Sequence, residues 1–178
     1  MSRVVKFGCF LLLALAAWAQ NPATIRVGVA VMQNISTRPF PSRGPRARLV
    51  FYLNGIHGRR GQPRIEAVAL EGTGRAAAQA EATAKQCEYV VLTTLVTLQA
   101  LDPAGKIRVG IDRPQPPGPP YPNSPVYLGV MKFELMRRGE TLTESSVRSG
   151  QRITADDMID VLMSQVAERV RKEIVRKP

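Results

Sequence analysis

The sequence predicts a single α/β domain: strand, helix, strand, helix, strand, then a β-hairpin and a C-terminal helix packed on a mixed sheet. Three observations lead there. Apolar, β-branched runs near 24–32, 65–70 and 88–98 alternate with helical patterns, as in layered folds with some parallel pairing. Two alternating runs, Val126 to Arg138 and Thr141 to Arg148, flank Gly139-Glu140 as a hairpin would. From Thr154 to Arg176 apolar residues recur at helical spacing. With 178 residues, 44% hydrophobic and 22% charged, the chain is long and apolar enough to build one real core.

The chain opens on an export signal. Arg3 and Lys6 precede the apolar run Cys9 to Ala17, and Ala17-Trp18-Ala19 places a signal-peptidase cut between Ala19 and Gln20. The run is shorter than the ~20 residues that a membrane-spanning helix requires; the alternative is an uncleaved anchor. Cys9 precedes most of the apolar run, whereas a lipid-modified cysteine would follow it. The expected organisation is a signal peptide over 1–19 and one domain over 20–178. That domain is exported to the periplasm or the extracellular space, with no transmembrane span after processing.

Each element then has its own warrant. Thr24 to Met32 is rich in Val and apolar on both faces, which suits a strand covered by helices on both sides. Gln33 to Gly44 reads as a loop, and Pro45 opens a helix whose apolar positions are Leu49, Val50, Leu53 and Ile56. Asn54-Gly55 would close that helix, although Leu49 to Tyr52 also fits a strand. Ile65 to Leu70 is a short strand, Gly72 to Gly74 a turn, and the Ala-rich Arg75 to Gln86 a helix. Glu88 to Leu98 is apolar on both faces, a central strand. Lys106 to Ile111 is a further short strand candidate. Asp112 to Pro125 holds seven prolines in fourteen residues, a density that favours an extended surface loop. In the hairpin, Tyr127, Met131, Phe133 and Leu135 share one face. Thr154 caps the last helix with Asp157 at its third position, and Ile159, Leu162, Met163, Val166, Val170 and Ile174 form its buried stripe.

The stretches IRVGVAVMQN, Leu49 to Gly55, AAAQAEATAKQCEYVVLTTL and the hairpin VYLGVMKFELMRRGETL together resemble a group of exported bacterial α/β proteins. More distantly, the arrangement is similar to periplasmic domains of the TolB amino-terminal and curli-secretion-lipoprotein type. That resemblance implies an envelope assembly or interaction module rather than an enzyme. It rests on apolar pattern and carries no site residue across; the Pro-rich insert and the Arg-rich segment depart from it.

Few residues suggest chemistry. One His and two Cys exclude a zinc site built mainly from those ligands. Gly72-Thr73-Gly74-Arg75-Ala76-Ala77 matches the G-x-G-x-x-A of dinucleotide folds, but it does not follow the first strand, and no acidic residue stands at the required distance. A structural turn is the expected reading, and no cofactor is implied. His57 sits in a basic loop with no acidic residue before Glu66 to orient it. Asp156, Asp157 and Asp160 fall in the first turns of the last helix, where the dipole favours acids. Asn34-Ile35-Ser36 is a glycosylation sequon, meaningful only in a eukaryotic secretory source. Once 1–19 are removed, Cys87 is the lone cysteine, either buried as a small hydrophobe or available for an intermolecular bridge.

The charge distribution says more. The full chain carries 25 basic and 14 acidic residues, net +11. Arg38 to Arg64 holds seven Arg and no acid. Such a segment has no evident structural return, so Arg43, Arg46, Arg48, Arg59, Arg60 and Arg64 are the candidate contacts for an anionic envelope partner: a lipid, a glycan or an acidic protein. The competing account is a solvated basic loop. Nucleic acid fits the charge, but export argues against it. The function expected from the residues is a non-enzymatic envelope binding or assembly module. The alternative is a small exported hydrolase or cofactor-using enzyme with a site that no motif marks.

Overall fold

Among the described residues, strand pairing begins at Thr24. The computed structural model describes residues 24–40, 43–55, 63–101, 126–152 and 154–176; of Arg43 only the backbone is described. The strands are β1 (Thr24–Val29), β2 (Gln33–Asn34), β3 (Arg64–Ala69), β4 (Tyr89–Leu101), β5 (Val126–Arg137) and β6 (Glu140–Arg148). The helices are α1 (Arg43–Gly55), α2 (Arg75–Ala84) and α3 (Ala155–Arg176). The sheet runs β3-β1-β4-β5-β6, with β2 attached to β4. Pairings among β1, β3, β4 and β2 are parallel, and β4-β5-β6 is antiparallel. The expected α/β domain with a mixed sheet, a hairpin and a C-terminal helix is the fold observed.

Two cores lie on opposite faces of the sheet. On one face α1 and α3 pack side by side: Leu49 and Leu53 join Met158, Ile159, Leu162, Met163, Val166, Val170 and Ile174 over Val27, Val91, Leu95, Met131, Phe133 and Leu135. All six predicted stripe residues of α3 are fully buried. Gly129 lets α3 sit this close, since a Cβ there would lie 2.0 Å from the Met158 sulfur. On the other face α2 alone buries Ala78 and Ala82 against Ala30, Leu70, Val90 and Met136.

Several boundaries differ from expectation, each for a local reason. The first strand stops at Val29, and Gln33–Asn34, expected as loop, pair in parallel with Thr94 and Leu95. The first helix starts at Arg43, two residues before Pro45. Helix α2 ends at Ala84 because Gln86 turns left-handed (φ 55). There the Gln86 N–H reaches Thr83 O at 3.1 Å and the Cys87 N–H reaches Ala82 O at 2.8 Å, the double closure of a Schellman cap. The hairpin turn lies on Arg138 and Gly139 (φ 51 and 87), one residue earlier than expected, with Arg137 paired to Glu140. Two positive φ values make the primed turn that matches strand twist. Central strand β4 runs on to Leu101, with a bulge between Leu95 and Thr97 that leaves both Leu95 and Leu98 in the α1/α3 core. The Lys106 to Ile111 strand candidate and the Pro-rich 112–125 lie outside the described residues, as do 1–19.

The expectation of helices on both sheet faces holds for only part of β4. Ten helical residues of α2 span ~15 Å, whereas thirteen strand residues of β4 span ~43 Å. Burial accordingly alternates along β4 once past Val91. Among the described residues, the sheet face beside the start of α2 is thus left partly open.

Candidate functional site

At that open face lies a groove of about 290 Å³. Val31 and Leu92 supply apolar floor, and Gln33, Thr94, Arg75, Lys132, Glu134 and Glu144 supply polar groups. Alternation on β5 puts Lys132 and Glu134 here, because Met131, Phe133 and Leu135 take the core face. Glu134 stands directly opposite Glu144 in the β5/β6 register, a like-charge pair that destabilises unless neutralised. Arg75 supplies the countercharge, with Nη1 2.9 Å from Glu134 Oε1. Its Nη2 donates to Thr141 Oγ1 at 3.0 Å and to Gly139 O at 3.3 Å, tying the start of α2 to the hairpin turn. The Thr141 hydroxyl also donates to Glu134. The groove thus offers donors and acceptors of both signs over a small apolar floor, a lining suited to holding a polar ligand.

The G-x-G-x-x-A turn borders this groove, and its glycines have structural work. A Cβ on Gly72 would meet the Ala77 carbonyl carbon at 2.7 Å, so only glycine lets the loop lie on the helix backbone. Gly74 has φ 83 and ψ 169, a conformation essentially restricted to glycine. The N–H groups of Glu71 and Gly72 both donate to Glu81 Oε2, each at 2.7 Å. These two amides are therefore engaged by a carboxylate of α2 itself. Lys85 lies 2.8 Å from Glu81 and donates to Ala69 O at 2.9 Å. The Lys85 bond first, then the Gly72 amide, hold the Glu81 carboxyl below the usual carboxylate range.

The arginine segment is more tightly integrated than its charge implies. Arg46 is largely buried: Nη1 donates to Leu70 O at 2.5 Å and Nη2 lies 2.9 Å from Glu71. Arg48 grips Asp156 of α3 through its backbone oxygen and its carboxylate, both at 2.8 Å. The premise that these arginines have no structural return is corrected for Arg46 and Arg48, whose acid partners come from distant sequence. Arg64 is exposed at the start of β3. Arg59, Arg60 and His57 lie outside the described residues, so the structure brings no cluster of all six arginines into view.

The acids of α3 do more than answer its dipole. Thr154 Oγ1 accepts from the Asp157 N–H at 3.0 Å, the expected cap. Asp156 holds Arg48, and Asp160 accepts from the Tyr52 hydroxyl at 2.6 Å. That hydrogen bond, with burial adding to it, raises the Tyr52 phenol above its usual range. Asn34 of the sequon is engaged at both ends of its amide, donating to Arg38 O at 2.9 Å and accepting from the Ser36 N–H and hydroxyl. Cys87 is half-buried beside the α2 core, and burial pushes its thiol up. Among the described residues no three His, Cys, Asp or Glu side chains gather as a metal set, and no helix is long and apolar enough to cross a membrane.

No protein-family profile matches the chain, and no curated protein does. Solved structures do. A dodecamer of PelC from Paraburkholderia phytofirmans aligns with a TM-score of 0.53 at 14% identity, over 86% of this chain and 91% of that one. A methionine-substituted form of the same dodecamer gives 0.53 and 14% over 85% and 91%. The fold is shared with PelC. The lipoprotein GNA1162 from Neisseria meningitidis aligns at 0.44 and 14%, over 85% of this chain and 99% of that one.

The groove residues Gln33, Lys132, Glu134 and Glu144 were not singled out from sequence, and Arg75 only as part of the glycine turn. They come from four separate segments, joined by strand registers and by the side-chain contacts of Arg75. The one available signal was the polar alternation Lys132, Glu134 within an otherwise apolar strand.

Proposed function

We propose that this chain is an exported, non-enzymatic module of the bacterial cell envelope that works by assembly and binding. The observation that carries the reading is the backbone likeness to the PelC dodecamer over 86% of the chain. The amino-terminal pattern ending Ala17-Trp18-Ala19 supports export. A resemblance to TolB-type and curli-secretion-type domains belongs to the same proposal. Copies of the chain associate, and Arg43, Arg59, Arg60 and Arg64 contact an anionic envelope component; Arg46 and Arg48 are set aside because each is held in an internal ion pair.

The test begins with the full chain expressed in a Gram-negative host. Envelope fractionation and N-terminal sequencing should return protein beginning at Gln20; an intact Met1 in the cytoplasm refutes export. Light scattering on the purified product should give the mass of an oligomer, and a monomer at tens of micromolar refutes assembly. Changing Arg43, Arg59, Arg60 and Arg64 together to Gln should weaken binding to anionic vesicles or acidic glycans and flatten its salt dependence. Arg46 is left intact, since its loss would remove the bonds to Leu70 O and Glu71 that hold α1 on the sheet edge. Equal binding by parent and variant removes the arginines from the contact.

A further inference from the structure

From the geometry of α1, we infer that its outward face, centred on Phe51, is the surface through which one copy of the chain packs against a second copy. The inference rests on the assembly reading above and names the place where assembly occurs.

Phe51 is 71% exposed and, with Ile35, one of two large hydrophobic side chains left in solvent among the described residues. Its position follows from the sequence: Leu49 to Leu53 is an unbroken apolar run on a helix, so it cannot all face inward. Leu49 and Leu53 take the core, and Phe51 is turned away from it.

The ring is also held in place. Phe51 meets Tyr52 edge to face, centroids 5.7 Å apart at 69°, and Tyr52 is pinned to Asp160 at 2.6 Å. A pre-positioned aromatic loses little freedom on docking, and buried aromatics dominate the energetics of protein interfaces. Small residues share this face. Ala47, one turn before Phe51, is exposed, and among the described residues a Cβ added to Gly44 would meet nothing within 4 Å. Another backbone can therefore come close on the amino-terminal side of the ring.

Charge bears on the occupant. An anionic bilayer is drawn to unpaired cations, yet Arg48, three residues before Phe51 and on the same side of the helix, is matched by Asp156. Asp160 stands beside Tyr52 as well. Phe51 is thus an exposed aromatic flanked by the Arg48–Asp156 ion pair, the make-up of a protein–protein contact with an apolar centre and a polar rim. A second copy is the partner that the shared fold of the PelC dodecamer favours.

The experiment compares the parent, purified after its own processing, with Phe51→Ser and separately with Ala47→Trp. Phe51 is exposed, so both variants should keep the parent's circular dichroism and thermal midpoint to within a few degrees. Light scattering across a dilution series should show the half-dissociation concentration rising about 30-fold or more for each variant. A monomeric parent overturns the assembly reading and this inference with it. An oligomeric parent with equally oligomeric variants overturns the inference alone. Flotation with vesicles rich in anionic lipid is run in parallel. If Phe51→Ser abolishes vesicle binding while leaving the oligomer intact, the face serves a bilayer and the inference fails.

Discussion

Replacing Gly72 with Ala should destabilise the domain although it adds only one methyl group. The added carbon would stand 2.7 Å from the Ala77 carbonyl carbon, 2.8 Å from its oxygen and 2.9 Å from the Ala78 nitrogen. Comfortable contact begins near 3.5 Å, so the first turn of α2 must retreat by roughly 0.8 Å. The atoms met are backbone, so no side-chain rotation gives relief. Retreat would lift Ala78 and Ala82, both buried, from Val90 and Met136, and loosen the Glu81 carboxylate on the two loop amides. Overpacking of this kind costs about 1–3 kcal/mol. The alanine returns about 0.4–1 kcal/mol by restricting the unfolded chain. Three backbone atoms under 3.0 Å place the overpacking cost in the upper part of its range, so the net loss is about 1–2.5 kcal/mol, or roughly 2–10 °C in thermal midpoint for a chain of this size. Urea unfolding followed by circular dichroism measures it against the parent. Pairing the change with Ala77→Gly gives a second check: since the clash is with backbone, the two effects should add. An unchanged midpoint for Gly72→Ala, or recovery in the double variant, refutes the close-approach argument.

Two further outcomes are expected. Gly129→Ala also overpacks, but against the Met158 sulfur at 2.0 Å, a side chain that can be removed; a double-mutant cycle with Met158→Ala should show favourable coupling of about 0.5–3 kcal/mol, and strict additivity would refute the contact. Glu81 binds its proton more weakly in the folded chain, because of Lys85 and the Gly72 amide. Its contribution is thus present above the ordinary carboxylate range and lost as pH falls through the lowered folded value. Glu81→Gln should flatten the acid limb of the urea midpoint below about pH 4, and an unaltered limb counts against the loop-amide role.

Patterns of one period were legible in the sequence by themselves. The stripe Ile159 to Ile174, the alternation Met131, Phe133, Leu135 and the Ala-rich run at Arg75 each state which side must leave water, and that is a local property of spacing. From these came the element order, the mixed sheet and the cap at Thr154. The turn chemistry of Gly72 and Gly74 was legible too, since glycine marks where backbone must approach or reverse. Charge partners were not. Arg46 lies 25 positions from Glu71, and Arg48 lies 108 from Asp156, so a run of cations that looked unanswered in one dimension is answered by β3–α2 and by α3 in three. Likewise the groove depends on two lengths that meet only in space, a ten-residue helix laid on a thirteen-residue strand. Burial periodicity is a matter of neighbours along the chain. Ion pairing and concavity are matters of distance through space, and only the packing of α1 against α3, and of α2 over half the sheet, brought those residues together.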